Sequence, residues 1–229
     1  MILKWGVRLA LLFAVPLLGG AAAQAQNYSA PQSGGAAVPT IATCPNGSGG
    51  YSPCPAASFS YSAATVTRPN NTTAYTGNQL IAGNTSGSAT PAQLTVSSLP
   101  GGWAYIVHAR AQSSYAGASA PPAQTWYLFG ASPVTTNLVD GSAYVAPYAA
   151  DITGGAYLGS LTCSGWTKTN DSTAQWWSPC STSNLVTGPL PVRAVSGQTY
   201  IYVLVATGSG GYTPAANEVE TLQVTLSSP

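Results

Sequence analysis

The 229 residues include 6 Lys and Arg against 5 Asp and Glu, so only 5% are charged, while Gly, Pro and Tyr number 25, 18 and 13. Ordinary globular proteins are about 25% charged, so this surface must be solvated by hydroxyl and amide groups. The net charge of +1 excludes the basic footprint of a nucleic-acid or anionic-membrane binder. The scarcity of Glu, Lys and Arg leaves helices with little support.

Residues 1–25 carry Lys4 and Arg8, an apolar run from Leu9 to Leu18, and a small-residue ending, Ala23-Gln24-Ala25. This is the layout of a secretory signal peptide with cleavage before Gln26, and the run is shorter than the roughly 20 residues of a membrane span. Its removal leaves four Lys and Arg against five acids, a formal charge of −1. Residues 26–58 are rich in Gly, Ser, Pro and Ala and have no hydrophobic period, so a flexible N-terminal arm is expected. The arm holds Cys44 and Cys54, with turn-forming residues between them. An exported chain meets oxidising conditions, and four cysteines allow three pairings. The local pairs Cys44–Cys54 and Cys163–Cys180 are expected. With no CxxC spacing and a single histidine, neither a zinc site nor any other cofactor is expected.

Residues 59–229 read as one domain of short, turn-bounded strands. Phe59–Thr67, Ala74–Ile81, Gln93–Val96, Trp103–Arg110, Gln124–Gly130, Tyr157–Cys163 and Val192–Val195 predict an all-β, antiparallel β-sandwich of jelly-roll-like arrangement. Strict alternation in the strand at Trp103 puts Tyr105 and Val107 on the tryptophan's face and Ile106, His108 and Arg110 on the other. At the C-terminal end, Thr199–Ala206 is apolar on both faces, which predicts a central strand covered on both sides. In the segment Glu218–Leu226, Leu222, Val224 and Leu226 point to the core and Thr221, Gln223 and Thr225 away from it. The two segments read as neighbouring antiparallel strands joined by a hairpin at Gly208–Gly211.

Between Cys163 and Cys180 a polar loop is expected to carry Trp166, Trp176 and Trp177, candidates for surface binding through their flat faces. Trp176 and Trp177 are adjacent, so in extended backbone they point to opposite faces and only one of them can enter the core.

Four marks, Thr67-Arg68-Pro69-Asn70-Asn71-Thr72-Thr73-Ala74-Tyr75, Trp126-Tyr127-Leu128-Phe129, Asp140-Gly141-Ser142-Ala143-Tyr144 and Tyr157-Leu158-Gly159, are followed by Val203-Leu204-Val205-Ala206 and Gly211-Tyr212-Thr213-Pro214-Ala215-Ala216-Asn217-Glu218. In this order, over about residues 65–226, the chain resembles a family of small β-sandwich proteins encoded among the structural genes of tailed bacteriophages and prophages. The resemblance implies a virion-associated, non-enzymatic role and supplies no catalytic residues. The leader segment and the cysteine-bounded loop depart from the family pattern and point to an exported relative.

Catalytic patterns are sparse. His108 stands in a strand with no Gly-x-Ser-x-Gly elbow in the chain, so a Ser-His-Asp triad is not expected. Glycoside hydrolysis needs two facing carboxylates, and only Asp140 and Asp151, in one turn-rich region, suggest a meeting; Asp171, Glu218 and Glu220 complete the supply. The same acids with Asn137 or Asn217 offer oxygen ligands for calcium, but no D-x-D-x-D loop is present. No glycine loop opens a helix to cradle a phosphate. The sequence reads as a non-enzymatic structural protein displayed on a particle or cell surface, a phage-type virion surface or decoration protein, with a secreted adhesion or carbohydrate-binding module as the alternative. Its expected partners are copies of itself or capsid and tail proteins in a surface assembly, or a cell-surface glycan. Its expected location is extracellular, at the cell surface or on the virion.

Overall fold

The computed structural model describes residues 59–86, 89–98, 101–133, 138–144, 149–169, 175–182 and 189–228, with the backbone of 43–45 and 51–53. The chain divides into two units, Met1–Ala56 and Ala57–Pro229. In the first, β1 (Thr43–Pro45) and β2 (Tyr51–Pro53) pair antiparallel, with Cys44 opposite Ser52. The leader segment, the expected Cys44–Cys54 bond, Asn137 and Asp171 lie outside what is described.

The second unit is an antiparallel sheet of eleven strands, curled over on itself. Its elements are β3 (Phe59–Thr67), β4 (Leu80–Ile81), β5 (Ala92–Thr95), β6 (Trp103–Ser113), β7 (Gln124–Phe129), the one-turn helix α1 (Ala149–Thr153), β8 (Tyr157–Cys163), β9 (Thr167–Lys168), β10 (Trp176–Thr182), β11 (Leu190–Arg193), β12 (Tyr200–Thr207) and β13 (Val219–Ser227). β3, β13 and β6 form one half, extended by β11 and by the first part of β10; β8, β7 and β12, edged by β4 and β5, form the other. β10 belongs to both. Its residues Trp176–Pro179 pair with β6, and Cys180–Thr182 pair with β8. The disulfide Cys163–Cys180 joins directly opposed residues on that fold line, and a bond of this kind fits an oxidising environment.

The alternation read from the sequence builds the core. Ala64, Ile106, Ala111, Leu222, Val224 and Leu226 meet Leu94, Trp126, Leu128, Leu161, Ile201, Val203 and Val205 from the other half. Each large aliphatic side chain removed from water contributes about 1.5–3 kcal/mol. A smaller apolar cluster of Leu80, Phe129, Leu138, Tyr144, Leu204 and Ala206 covers the outside of the second half. β12 is therefore buried on both faces, as its two-sided apolar pattern requires.

Four expectations are overturned, wholly or in part. β12 and β13 are not neighbours: β12 lies between β7 and the β4/β5 edge, β13 between β3 and β6. The reason lies in their patterns. Strands side by side in a sheet share its faces, and a strand covered on both sides does not match one with a bare polar side. Gly208–Gly211 is thus the start of a crossover between halves, not a hairpin. In β6, the register against β13 shifts between Thr225 and Leu226, so that Val107 is an extra residue. This bulge turns His108 outward with Arg110, while Ile106 stays inward with Ala104. In the cysteine-bounded segment, expected as a polar loop, β9 and the start of β10 are paired with each other, so its described residues are partly sheet. Of the expected strand Ala74–Ile81, only β4 and two isolated bridges, Tyr75 to Tyr212 and Gln79 to Ala143, form.

Candidate functional site

Two places concentrate side-chain chemistry, one sealed and one open. The sealed one begins where β3 ends at Arg68-Pro69. The Arg68 side chain is fully buried, and its Nη2 donates to Asp140 Oδ2 at 2.8 Å. Its Nε donates to the Tyr75 hydroxyl at 2.5 Å, and Nη1 donates to the Ala215 carbonyl at 3.0 Å. The Tyr75 hydroxyl in turn donates to Asp140 Oδ1 at 2.5 Å, where the Ala82 amide also donates, at 3.1 Å. Burial works against the Arg68 charge, but the bonds to Asp140 and Tyr75 outweigh it and hold the guanidinium above its ordinary value. Burial and the neighbouring Asp140 carboxylate push the Tyr75 hydroxyl up as well.

Tyr75 stacks on Tyr212 with ring centres 5.3 Å apart, and the Tyr212 hydroxyl donates to Glu218 Oε1 at 3.0 Å. Glycine is required beside it, because a Cβ on Gly211 would lie 2.6 Å from the Tyr75 carbonyl oxygen. Glu218 Oε2 accepts from the Ala215 amide at 2.8 Å, and the Ser113 hydroxyl donates to Glu220 Oε1 at 2.8 Å, with Glu218 Oε1 3.4 Å from the same hydroxyl. Glu218 and Glu220 are both buried, Glu220 completely. Burial first and the Glu218 carboxylate second push the Glu220 carboxyl well above the usual range, with Gln124 and Ser113 pulling it back. Glu220 therefore holds its proton more tightly than an exposed carboxyl does.

Three of the sequence marks that carry the family resemblance thus converge: the Arg68–Tyr75 segment, Asp140, and the Tyr212–Glu218 segment. They form a lock. The carboxylates that sequence reasoning considered for hydrolysis do not form a cleft with each other: Asp140 is held by Arg68 and Tyr75, and Asp151 is buried in α1. The pair that does meet, Glu218 and Glu220, is enclosed. Among the described residues no group of three His, Cys, Asp or Glu side chains could hold a metal ion.

The open place is the outer face of the half containing β3, β13 and β6. Register lays out its outward residues in rows across four strands. Trp177, Gln112, Thr221 and Thr65 form one row. Pro179, Arg110, Gln223 and Ala63 form the next, then His108, Thr225 and Tyr61. Beyond the bulge come Tyr105, Ser227 and Phe59. Of seven large apolar side chains that the described residues leave exposed, Phe59, Tyr61, Trp103, Val107 and Trp177 are on these strands, and Tyr61 is 85% exposed. Between the rings runs a polar ladder in which Arg110 Nε donates to Gln223 Oε1 at 2.6 Å, and Thr65 and Thr221 share a hydroxyl bond of 3.2 Å. A groove of about 590 Å³ is lined by Tyr61, Ala63, His108, Arg110, Gln223 and Thr225.

The three tryptophans separate. Trp166 is half-buried against the main core, with its Nε1 donating to the Pro122 carbonyl at 2.9 Å. Trp176 is buried, with the Lys168 ammonium 5.5 Å from its ring centre. Trp177 alone is exposed, at 42%, as opposite directions for adjacent strand residues require. It shares a face with Tyr61, which the sequence reading passed over, because only pairing through β6 and β13 unites residues so far apart in the chain. Comparison of the chain with protein-family models, with curated proteins and with solved structures finds no match.

Proposed function

We infer that this is a non-enzymatic protein displayed on the surface of a particle or cell, and that it works by contact through the outer face of the β3, β13 and β6 half. The observation that carries the reading is the gathering of Phe59, Tyr61, Trp103 and Trp177 on that one face, because monomeric proteins rarely gather exposed apolar groups unless a partner covers them. The enclosure of Asp140, Asp151, Glu218 and Glu220 supports a role without catalysis, since no described carboxylate is presented to a substrate. The leader layout and the Cys163–Cys180 bond support export. The resemblance to phage structural-gene sandwiches supports particle display, as a virion surface or decoration protein.

The test is to label the full chain and measure its retention on intact bacterial cells and on purified phage particles, alongside Tyr61→Ala and Trp177→Ala. Retention on either surface that falls at least tenfold in both variants is the expected result; retention unchanged in both would refute the role of the face. The starting residue of the purified protein separates the two settings. A start at Gln26 supports export, and an intact Met1 in purified particles supports assembly inside the cell.

A further inference from the structure

Resting on that reading, we propose that the outer face is a binding site for an extended acidic polysaccharide, with Tyr61 and Trp177 stacking on sugar rings and Arg110 pairing with a carboxylate of the chain. Length is the first argument. Trp177 on β10 and Tyr61 on β3 are separated by three strand spacings and by the rise of four residues, which at about 4.8 Å per strand and 3.4 Å per residue is about 20 Å. A single small molecule cannot touch both rings, whereas a chain of several rings can. Aromatic faces are negative and favour the C–H faces of such rings.

The groups between the rings are the second argument. Gln112, Thr221, Gln223, Thr225 and Thr65 each donate and accept hydrogen bonds, which suits a ligand covered in hydroxyls. The ladder is already cross-bonded, from Arg110 to Gln223 and from Thr65 to Thr221. Little side-chain freedom is left to lose on binding, and that favours affinity.

Charge is the third argument and selects the acidic class. The four described carboxylates have buried side chains: Asp140 is paired with Arg68, and Asp151, Glu218 and Glu220 lie inside the fold. The face itself carries Arg110 and, opposite Trp103, Arg193, with His108 beside them. The Nε of Arg110 is held by Gln223, and its two terminal nitrogens have no protein partner among the described residues. A guanidinium fork fixed at one nitrogen and open at two is suited to a carboxylate. Among the described residues the face is thus cationic and free of carboxylates, although residues 26–229 as a whole carry more acids than bases.

The experiment is affinity electrophoresis and titration calorimetry of the full chain with polygalacturonate and hyaluronate as acidic probes and dextran as the neutral one. The expected result is retardation by an acidic probe and none by dextran, with binding that weakens as NaCl is raised. Arg110→Gln, Tyr61→Ala and Trp177→Ala should each weaken binding about tenfold, while each variant keeps the parent melting temperature, because all three side chains are exposed. Equal binding to dextran, or acidic binding untouched by Arg110→Gln, would overturn the proposal. So would failure to bind either acidic probe in a variant-sensitive way while retention on cells still depends on Tyr61 and Trp177; that outcome leaves the contact face standing and removes the ligand class. A concentration-dependent dimer in sedimentation that Tyr61→Ala abolishes would instead assign the face to a second copy of the chain.

Discussion

Replacing Asp140 by alanine would test the lock at its centre. The carboxylate accepts from Arg68 at 2.8 Å, from the Tyr75 hydroxyl at 2.5 Å and from the Ala82 amide at 3.1 Å. Its loss leaves a guanidinium of zero side-chain exposure with neutral partners only, the carbonyls of Asn71 and Ala215, the Asn71 side chain and Tyr75. Breaking a buried ion pair from one side costs roughly 3–5 kcal/mol, and an orphaned amide or hydroxyl adds about 1–3 kcal/mol, so the upper part of the first range is expected. For a domain of this size about 1 kcal/mol moves the melting temperature by 2–4 °C, which places the drop at roughly 8–20 °C. Urea unfolding followed by tryptophan fluorescence, with calorimetry beside it, measures both quantities. The double variant Arg68→Met/Asp140→Leu should recover part of the loss, because an apolar pair of similar volume does not strand a charge. A cost below about 1 kcal/mol for Asp140→Ala, or a double variant no more stable than the single one, would refute the reasoning.

Three further outcomes are expected. Glu220 has its folded value raised by burial and by Glu218, so the stability tied to its proton is fully present below the unfolded carboxyl value of about 4.3 and is lost as pH rises through the folded value; melting temperatures measured from pH 4 to 9 should fall along this limb, and Glu220→Gln should flatten it, with parallel profiles refuting the assignment. Cys163→Ser/Cys180→Ser, which opens a link spanning 17 residues, should lower the unfolding free energy by about 3 kcal/mol on the loop-entropy model, measured by urea titration. Leu222→Ala, at a fully buried inward position, should cost about 2–5 kcal/mol in the same assay without changing the pairing of β13.

The faces of single strands were legible because side-chain alternation is local. Phe59–Thr67 and Tyr157–Cys163 form over the residues expected, and Leu222, Val224 and Leu226 enter the core. The same alternation, carried one step back from Leu222, places Glu220 on the core face. The alternation alone marks this burial, since the residue type points to the surface. Strand neighbours were less legible, because a face pattern constrains which sheet a strand suits without naming the strand beside it; hence the misplaced β12–β13 hairpin. The bulge at Val107 left no trace in composition, yet it decides that His108 faces outward. The candidate site was legible only at Trp177. Tyr61, Arg110 and Gln223 join it through pairings that span most of the domain.

β10 is the spine of a folded leaf, and the Cys163–Cys180 bond staples that spine where the strand passes from one half to the other. Among the described strands the order ends at β3 and at the β4/β5 edge, and β3 lies against β5 without pairing to it. Any excursion that parts the leaves must start at those margins and die out toward the staple, so amide hydrogens of β8 and β10 near the bond should exchange more slowly than those of β3 and β5. Tyr61, on the β3 margin, would then ride on the part of the sheet that gives first, while Trp177 stays fixed near the spine.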